Sequence, residues 1–533
     1  MLPLLFAAVT AESQTVILEE SLIDKNLSEN FKKIVSPSGY QNWIFDNCWT
    51  VNSYVQVSSS SGWGALITRK LSNLDKIAIL SFDVLGVETN QVIGAFAVNG
   101  EQEETVVSKT ISAPDKWNSC SAVVRNGSDD TRIKFAPISN GENGYCKFQV
   151  RNILVKNLDG CLYYETFDKY EGKGGGDETF TDLSVLYNTT SANCDNPATT
   201  FSGSLKSGAN CIYFSSSKNS SIYTTALVPQ PESGRDVVLS FRIAGSKDEA
   251  NVTVQHNGMT LLNQQAAQNG QWTEMMIPIT NFDFSKPIAI SGNYVYLDDV
   301  MVSAMPAIRL DESIENGSVI DANSEKYVNV SLTRTLKADI WNTMCVPFEM
   351  SRTALQNAGS GVYTIEMRRL RDVTNGVFEF FTDNTIPAGE PFLVKTDREF
   401  ANPTFKGVKI EVTEPQAVGS NGYFLQGIFS PTELKTDGTN LFLGTDGYLY
   451  APAEGSNTMN GMRAYLVTPG GTSGSVRVRL VDDDDQLAGI STVPTAGRRD
   501  ATIYTLSGQA LGTNPNTLPQ GIYVKGNKKV FIK

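Results

Sequence analysis

A set of landmarks recurs in the same order in two stretches of the chain, which is what a pair of copies of one folding unit leaves in a sequence. In the first stretch GALITRKL (64–71) precedes IAILSFDVLG (77–86), then DKWNSCSAVV (115–124), then FQVRNILV (148–155). In the second, SIYTTALV (221–228) precedes VVLSFRIAG (237–245), then GQWTEMMIPI (270–279), then VYLDDVMV (295–302). Each copy therefore holds an apolar segment with its Phe (Phe82, Phe241), a segment led by Trp (Trp117, Trp272) and an alternating last segment. The segments are short, alternate apolar with polar residues and are separated by Gly, Asn, Asp and Ser, which is the chemistry of strands and turns. Connections too short for crossover helices make the strands antiparallel, so each copy of about 140 residues is expected to be a jelly-roll β-sandwich. The matching places of Trp117 and Trp272 assign them to core packing.

The rest of the chain continues the pattern. Beyond Pro306 a strand-rich stretch carries hairpin signals such as Asp446-Gly447, and its one helical candidate is Ser351–Ala358 with Ser351 as the N-cap. Asp482 to Asp485 are four like charges that suit a solvated linker. After them IYTLSGQ, GIYVK, Gly526-Asn527 and KKVFIK make a short hairpin module with a basic finish at Lys525, Lys528, Lys529 and Lys533. The expected fold class is all-β: tandem jelly-roll β-sandwiches over 12–157 and 158–305, a further β-rich domain over 306–481, and a linker with a small C-terminal β module over 482–533.

Charge and cysteines narrow the function classes. Asp and Glu outnumber Lys and Arg by 57 to 44, a net charge of −13, which argues against a polyphosphate partner. The densest basic group, Arg368, Arg369 and Arg371, reads as the solvated face of a strand. MLPLLFAAVTA (1–11) is a short apolar run ending in small residues, the form of the end of a signal peptide, and no segment has transmembrane length. Seven cysteines show no CxxC spacing, so a metal cluster is not expected, while an oxidising compartment would allow Cys194 to pair with Cys211.

Several of these motifs carry a resemblance. Through ETFDKYEGKGGGDETF (165–180), the pairing of SIYTTALV with VVLSFRIAG, and YLDDV (296–300), the second copy resembles a jelly-roll module common in secreted proteins of Gram-negative gut and oral anaerobes, itself similar to carbohydrate-binding modules. Through WNTMCVPFEM, IPAGEPFLVKT, FLQGIFSPTEL, LFLGTDGYLYAP and MRAYLVTP, the third stretch resembles a domain that recurs in surface proteins of the same bacteria. The tail resembles the C-terminal sorting region of type nine secretion cargo, which implies export machinery as a partner and a secreted or surface location.

For the second copy the resemblance implies a structural calcium ion held by Glu165, Asp168, Asp177 and Asp298, oxygen donors of the kind a hard cation takes. The first copy has VRNI where the second has LDDV, so no ion is expected there. Sugar rings stack on aromatic faces, which makes Trp43, Trp49 and Trp63 in the first copy, and Tyr213, Tyr223, Tyr294 and Tyr296 in the second, the candidate ligand-binding residues. Catalytic signals are sparse. His256, the sole histidine, lies beside Asn257-Gly258 in an expected turn, and neither GxSxG nor HExxH occurs. The glycine run 172–176 lacks the GK[ST] ending of a phosphate loop. A glycosidase needs only two suitably spaced carboxyls, and Asp298 with Asp299 is the one adjacent pair near a strand end. The expectation is a glycan-binding or adhesive surface protein without catalysis, with a structural envelope component or a polysaccharide hydrolase as the alternatives.

Overall fold

The computed structural model describes residues 15–532 except 23–32, 38, 52–53, 59–63, 142–143, 145, 171–186, 189–192, 197, 209, 216–220, 232–233, 267–270, 360–363, 470–475, 482–502, 505–520 and 526–527. The expected signal peptide (1–11), acidic linker (482–485), glycine run (172–176), Asp177 and Trp63 lie outside the described residues, as does the side chain of Trp49. The chain divides into two compact units, Met1–Met305 and Pro306–Lys533. No helix among the described residues is long and apolar enough to cross a membrane.

The first unit contains two sandwiches with one strand order. In the first, one sheet runs Trp117–Arg125, Ile77–Gly86, Lys147–Asn157, Tyr54–Ser58, and the other runs Ala65–Ile67, Arg132–Ser139, Val92–Asn99, Gln102–Thr110. In the second, the corresponding sheets run Thr273–Ile279, Val237–Gly245, Val295–Ala304, Ile212–Phe214 and Ser221–Thr224, Ile288–Asn293, Asn251–His256, Met259–Gln265. Taken in chain order, successive strands of each copy alternate between sheets except at one hairpin, Val92–Asn99 with Gln102–Thr110 in the first and Asn251–His256 with Met259–Gln265 in the second, which is the jelly-roll pattern, so the sequence repeat is a repeat of topology. The pleat explains the alternation: Ala78, Leu80, Phe82 and Val84 enter the first core, where Phe82 meets Phe135 edge-on at 4.9 Å. Phe241 holds the same place in the second core.

The last strand of each copy makes one further departure in common. Between Arg151 and Leu154, and between Asp298 and Met301, it carries one more residue than its partner strand. Asn152 (φ 53°) and Asp299 (φ 50°) absorb the extra residue in the left-handed region, which short amide and carboxylate side chains tolerate. The bulge reverses the facing of the strand beyond it, so that Val150 and then Ile153 and Val155 point into the core. It also marks a change of partner: Tyr54–Ser58 pairs with the strand before the bulge and Val16–Glu20 with the strand after it. The second copy repeats this with Ile212–Phe214 and Cys161–Glu165.

The two sandwiches meet through an apolar contact. Ile77, Ile79 and Val123, on the outer face of the first copy, join Leu158, Tyr164 and Met301 of the second in one buried cluster. Arg125 reaches across beside it, donating to the Tyr164 carbonyl at 2.6 Å and the Asn196 side chain at 3.2 Å, with Asp195 at 3.8 Å. Ile77–Gly86 is so apolar because at one end both of its faces are covered.

In the second unit Ala307–Asp311 runs parallel to Tyr327–Thr333, and two five-stranded sheets enclose a second core around Phe378, Leu425 and Leu466. The helix Arg352–Asn357 begins at Ser351, whose hydroxyl accepts from the Ala354 amide at 3.0 Å, as the cap chemistry requires. A second short helix, Gly317–Ala322, was not legible in the sequence. Gly521–Lys525 pairs antiparallel with Lys528–Ile532, the hairpin partners the sequence named.

Three expectations are corrected. Arg368 and Arg369 do not form a solvated face: Arg368 is buried, and Arg369 makes a two-pronged pair with Glu390 at 2.7 and 2.8 Å. Cys194 and Cys211 form no disulfide with each other: Cys194 lies in the core and Cys211 in an aromatic cluster on the sheet's opposite face. His256 is a buried strand end stacked on Phe282 at 4.1 Å; its Nε2 accepts from the Asp283 amide, so Nδ1 carries the proton toward the Pro287 carbonyl.

Replacing Arg125 with Ala removes the polar bonds across the junction and leaves Asp195 without that guanidinium, a loss of about 1–3 kcal/mol. Scanning calorimetry of the full chain is expected to show the transitions of the two sandwiches separating in the variant; coincident transitions at the parent's temperatures would count against a coupled junction.

Candidate functional site

The first copy's sheet that contains Ile77–Gly86 turns one face to the core, and the pleat sends the alternate side chains outward. Counting from core-facing Val124, the odd positions of Trp117–Arg125 face out, and Trp117 is therefore half-buried on the outer face and not in the core. The strand register places Trp117 opposite Leu85, Ser119 opposite Asp83, Arg151 opposite Asp83 and Gln149 opposite Gln56. The Arg151 guanidinium lies 3.9 Å from the centre of the Trp117 ring, and Tyr54 meets that ring edge-on at 6.0 Å. Asp83 gathers the polar members: Arg151 at 3.2 Å, Asn152 of the bulge at 2.8 Å and Ser119 at 2.7 Å. Gln149 donates to Gln56 at 3.2 Å.

The second copy builds the same corner with its charges exchanged. Arg242 stands where the first copy has Asp83, and Asp298 where it has Arg151. Arg242 lies 3.1 Å from Asp299 and 3.5 Å from Asp298, and its guanidinium is 4.9 Å from the centre of Trp272, which is also half-buried on the outer face. Tyr164 donates to Asp299 at 2.7 Å. The difference between the copies is access. In the second, the mutually tilted rings of Tyr213 and Tyr296 lie 4.5 Å apart and are buried, whereas in the first Tyr54 and Trp117 are half-buried and Arg151 keeps a third of its side-chain surface exposed.

The sequence-named aromatic residues scatter accordingly. Trp43 is buried in the first core beside Tyr40, and Tyr223 is buried in the second, its hydroxyl 2.7 Å from that of Tyr163; packing removes both from any ligand-facing surface. Tyr213 and Tyr296 are on the outer face but covered. Tyr294 is half-buried beneath the Lys247 ammonium at 4.0 Å. Sequence reasoning missed Tyr54, Trp117 and Arg151 because a repeated tryptophan was taken for a repeated core position. Counting the alternation back from Ala122 and Val124 would have placed Trp117 outside.

Of the oxygen donors named for calcium, Glu165 and Asp298 are buried and already engaged. Glu165 accepts from the amides of Asp195 and Asn196 at 2.7 and 3.0 Å and from the Asn196 side chain at 3.0 Å; Asp298 accepts from the Asp299 amide at 2.9 Å and faces Arg242. The Asp168 amide donates to Thr166 at 3.2 Å. No group of three or more metal-capable side chains occurs among the described residues. Glu165 has instead a neighbour that sequence reasoning missed, Asp195, which also accepts from Thr166 and faces Lys169 at 3.3 Å. Burial, and then the Asp195 charge, push the Glu165 carboxyl up to about 7 against the three N–H donors that favour its charged form.

That shift carries a sign. The folded chain keeps the Glu165 proton where the unfolded chain, titrating near 4.5, has released it. The resulting stability is complete below about 4.5 and is lost as pH rises through about 7. In chelator, the melting temperature of the second sandwich is expected to fall between those values, and Glu165→Gln to remove the fall; the same slope in both proteins would refute it.

No family model matches the chain, and no curated protein matches it. Among solved structures it is similar to the N-terminal CBM22-1-CBM22-2 tandem domain of Xyn10C from Paenibacillus barcinonensis, at 11% identity over 56% of this chain and 99% of that one, with a TM-score of 0.23. It is similar to the K1 cleaved adhesin domain of Lys-gingipain from Porphyromonas gingivalis W83, at 16% identity over 26% and 97%, TM-score 0.19. A family 29 carbohydrate-binding module shares 14% identity over 27% and 88%, TM-score 0.20. Scores of this size carry no argument about function, and the jelly-roll assignment stands on the strand order itself.

Proposed function

We propose that the chain is an exported binding protein whose first sandwich holds a glycan on the outer face of the sheet that contains Ile77–Gly86. The observation that carries this reading is the half-open corner where Tyr54, Trp117 and Arg151 adjoin Asp83, Gln56 and Gln149. Indole and phenol rings offer apolar faces for the C–H side of a sugar, and the carboxylate, the guanidinium and the half-buried Gln149 amide beside them can exchange their mutual bonds for bonds to hydroxyls. The adjacent acid pair Asp298 and Asp299 favours binding over hydrolysis, since both carboxylates are taken up by Arg242. The second sandwich, with its corner covered, supports the first and does not bind.

Export belongs to the same proposal, with residues 1–11 as the signal and the module within 487–533 as the segment read by the export machinery. Its support is the compact hairpin Gly521–Lys525 with Lys528–Ile532 and the lysines at that end of an acidic chain. A structural calcium ion in the second sandwich, held by Glu165, Asp168, Asp177 and Asp298, belongs to the proposal as well, supported by the oxygen-donor chemistry of that set and the burial of Glu165 and Asp298. Elemental analysis of the purified chain tests it.

A glycan array probed with the full chain tests the leading reading. Trp117→Ala is expected to weaken retention of the captured glycan by roughly tenfold or more, and Trp272→Ala to leave it unchanged. An array that retains nothing, or equal retention by Trp117→Ala and the parent, would turn the assignment toward a structural envelope role.

A further inference from the structure

The unit Pro306–Lys533 holds a cleft of about 530 Å³ that plays no part in the glycan platform of the first sandwich. Its floor is short of negative charge. Arg334 is 1% exposed and donates to the carbonyls of Thr343 and Met462, while Arg463, 31% exposed, lines the cleft beside it. Both guanidinium groups address one oxygen, Oε2 of Glu312, at 3.7 and 2.6 Å. Two cations thus share a single carboxylate. The Nε of each arginine also has no hydrogen-bond partner among the described residues. Burial first, and the Arg463 charge second, pull Arg334 down to about 9, the direction taken by a cation that lacks its anion.

The walls add shape to this charge. Trp341 and Phe442, both half-buried, supply apolar surface, and Thr335, Thr445 and Ser456 supply hydroxyls between them. Asn342 is occupied in holding its own turn, bonding Lys337 and Ile340, so it shapes the wall and does not await a partner. An indole face bordered by hydroxyls suits a ring that is apolar on one side and hydroxylated at its edge. A carboxylate on that ring would supply the missing anion, and the planar fork of an arginine matches a carboxylate in two prongs. We infer that this cleft binds a carboxylate-bearing saccharide, a hexuronate, with its carboxylate on Arg463 and its ring against Trp341.

Calorimetric titration of the full chain with an oligogalacturonate, against a neutral oligogalactose of equal length, tests the inference. The acidic oligomer is expected to bind, more weakly as salt rises, and the neutral one not to bind. Arg463→Gln should weaken that binding by roughly tenfold or more, and Trp117→Ala should not alter it, which separates this site from the platform on the first sandwich. Because Arg463 also holds Glu312, Arg463→Lys serves as a second variant: it keeps the charge, loses the fork, and is expected to bind less tightly at an unchanged melting temperature. Equal binding of the neutral and acidic oligomers, an oligoglutamate peptide binding more tightly than the oligogalacturonate, or unchanged affinity in both Arg463 variants would overturn it.

Discussion

One extra residue in the last strand of each sandwich sets the rest of the first unit. At Asn152 and Asp299 the left-handed backbone shifts the register by one, with two linked consequences. The strand keeps its partner on one side while changing partners on the other, which lets two separate strands share a single sheet edge. The apolar residues beyond the bulge return to the core after a gap of three positions, from Val150 to Ile153 and from Leu297 to Val300. Without the extra residue Ile153 and Val155 would face solvent, and the apolar surface they bury would be lost to the core.

The bulge also aims the polar corner. Asn152 and Asp299, set off the regular pleat, reach back to Asp83 and Arg242, so the residue that solves the packing problem also completes the charged cluster on the outer face. Around that shared scaffold the copies diverge in how open the corner is. Burial of Tyr213 and Tyr296 closes the second, while at the matching positions of the first a buried Gln56 is bonded by a half-buried Gln149, and the neighbouring rings of Tyr54 and Trp117 are half-exposed. A duplicated fold can in this way keep one copy for stability and leave the other free for recognition.

The all-β class and the repeat were legible because both rest on local alternation and on landmarks kept in order, and each landmark became a strand at the same place in the two sheets. The Ser351 cap was legible for the same reason: it depends on one hydroxyl and a nearby amide. The site was less so. Which face of a strand is covered depends on what packs against it, and half-buried Trp117 and fully buried Trp43 are both tryptophans in strand-like sequence. Arg369 was misread for a related reason, since the carboxylate that holds it, Glu390, lies 21 residues away along the chain and is brought near only by the fold. In VRNI and LDDV the three-residue spacing of apolar positions marks the bulge, and the contrast between them carries the exchange of charge.

The exchange of Asp83 with Arg151 for Arg242 with Asp298 bears on how such a chain folds at all. Two similar sandwiches on one polypeptide are always within reach of each other's strands, and trading a strand between copies is a characteristic misfolding route of repeated domains. Here a traded pairing punishes itself. Ile77–Gly86 laid against Val295–Ala304 would set Asp83 facing Asp298, and Val237–Gly245 laid against Lys147–Asn157 would set Arg242 facing Arg151. Each crossed product would bring like charges together beside a bulge, while each correct product brings opposite ones. The corner therefore acts as a proofreading mark, letting each strand tell its own sandwich from the neighbouring copy.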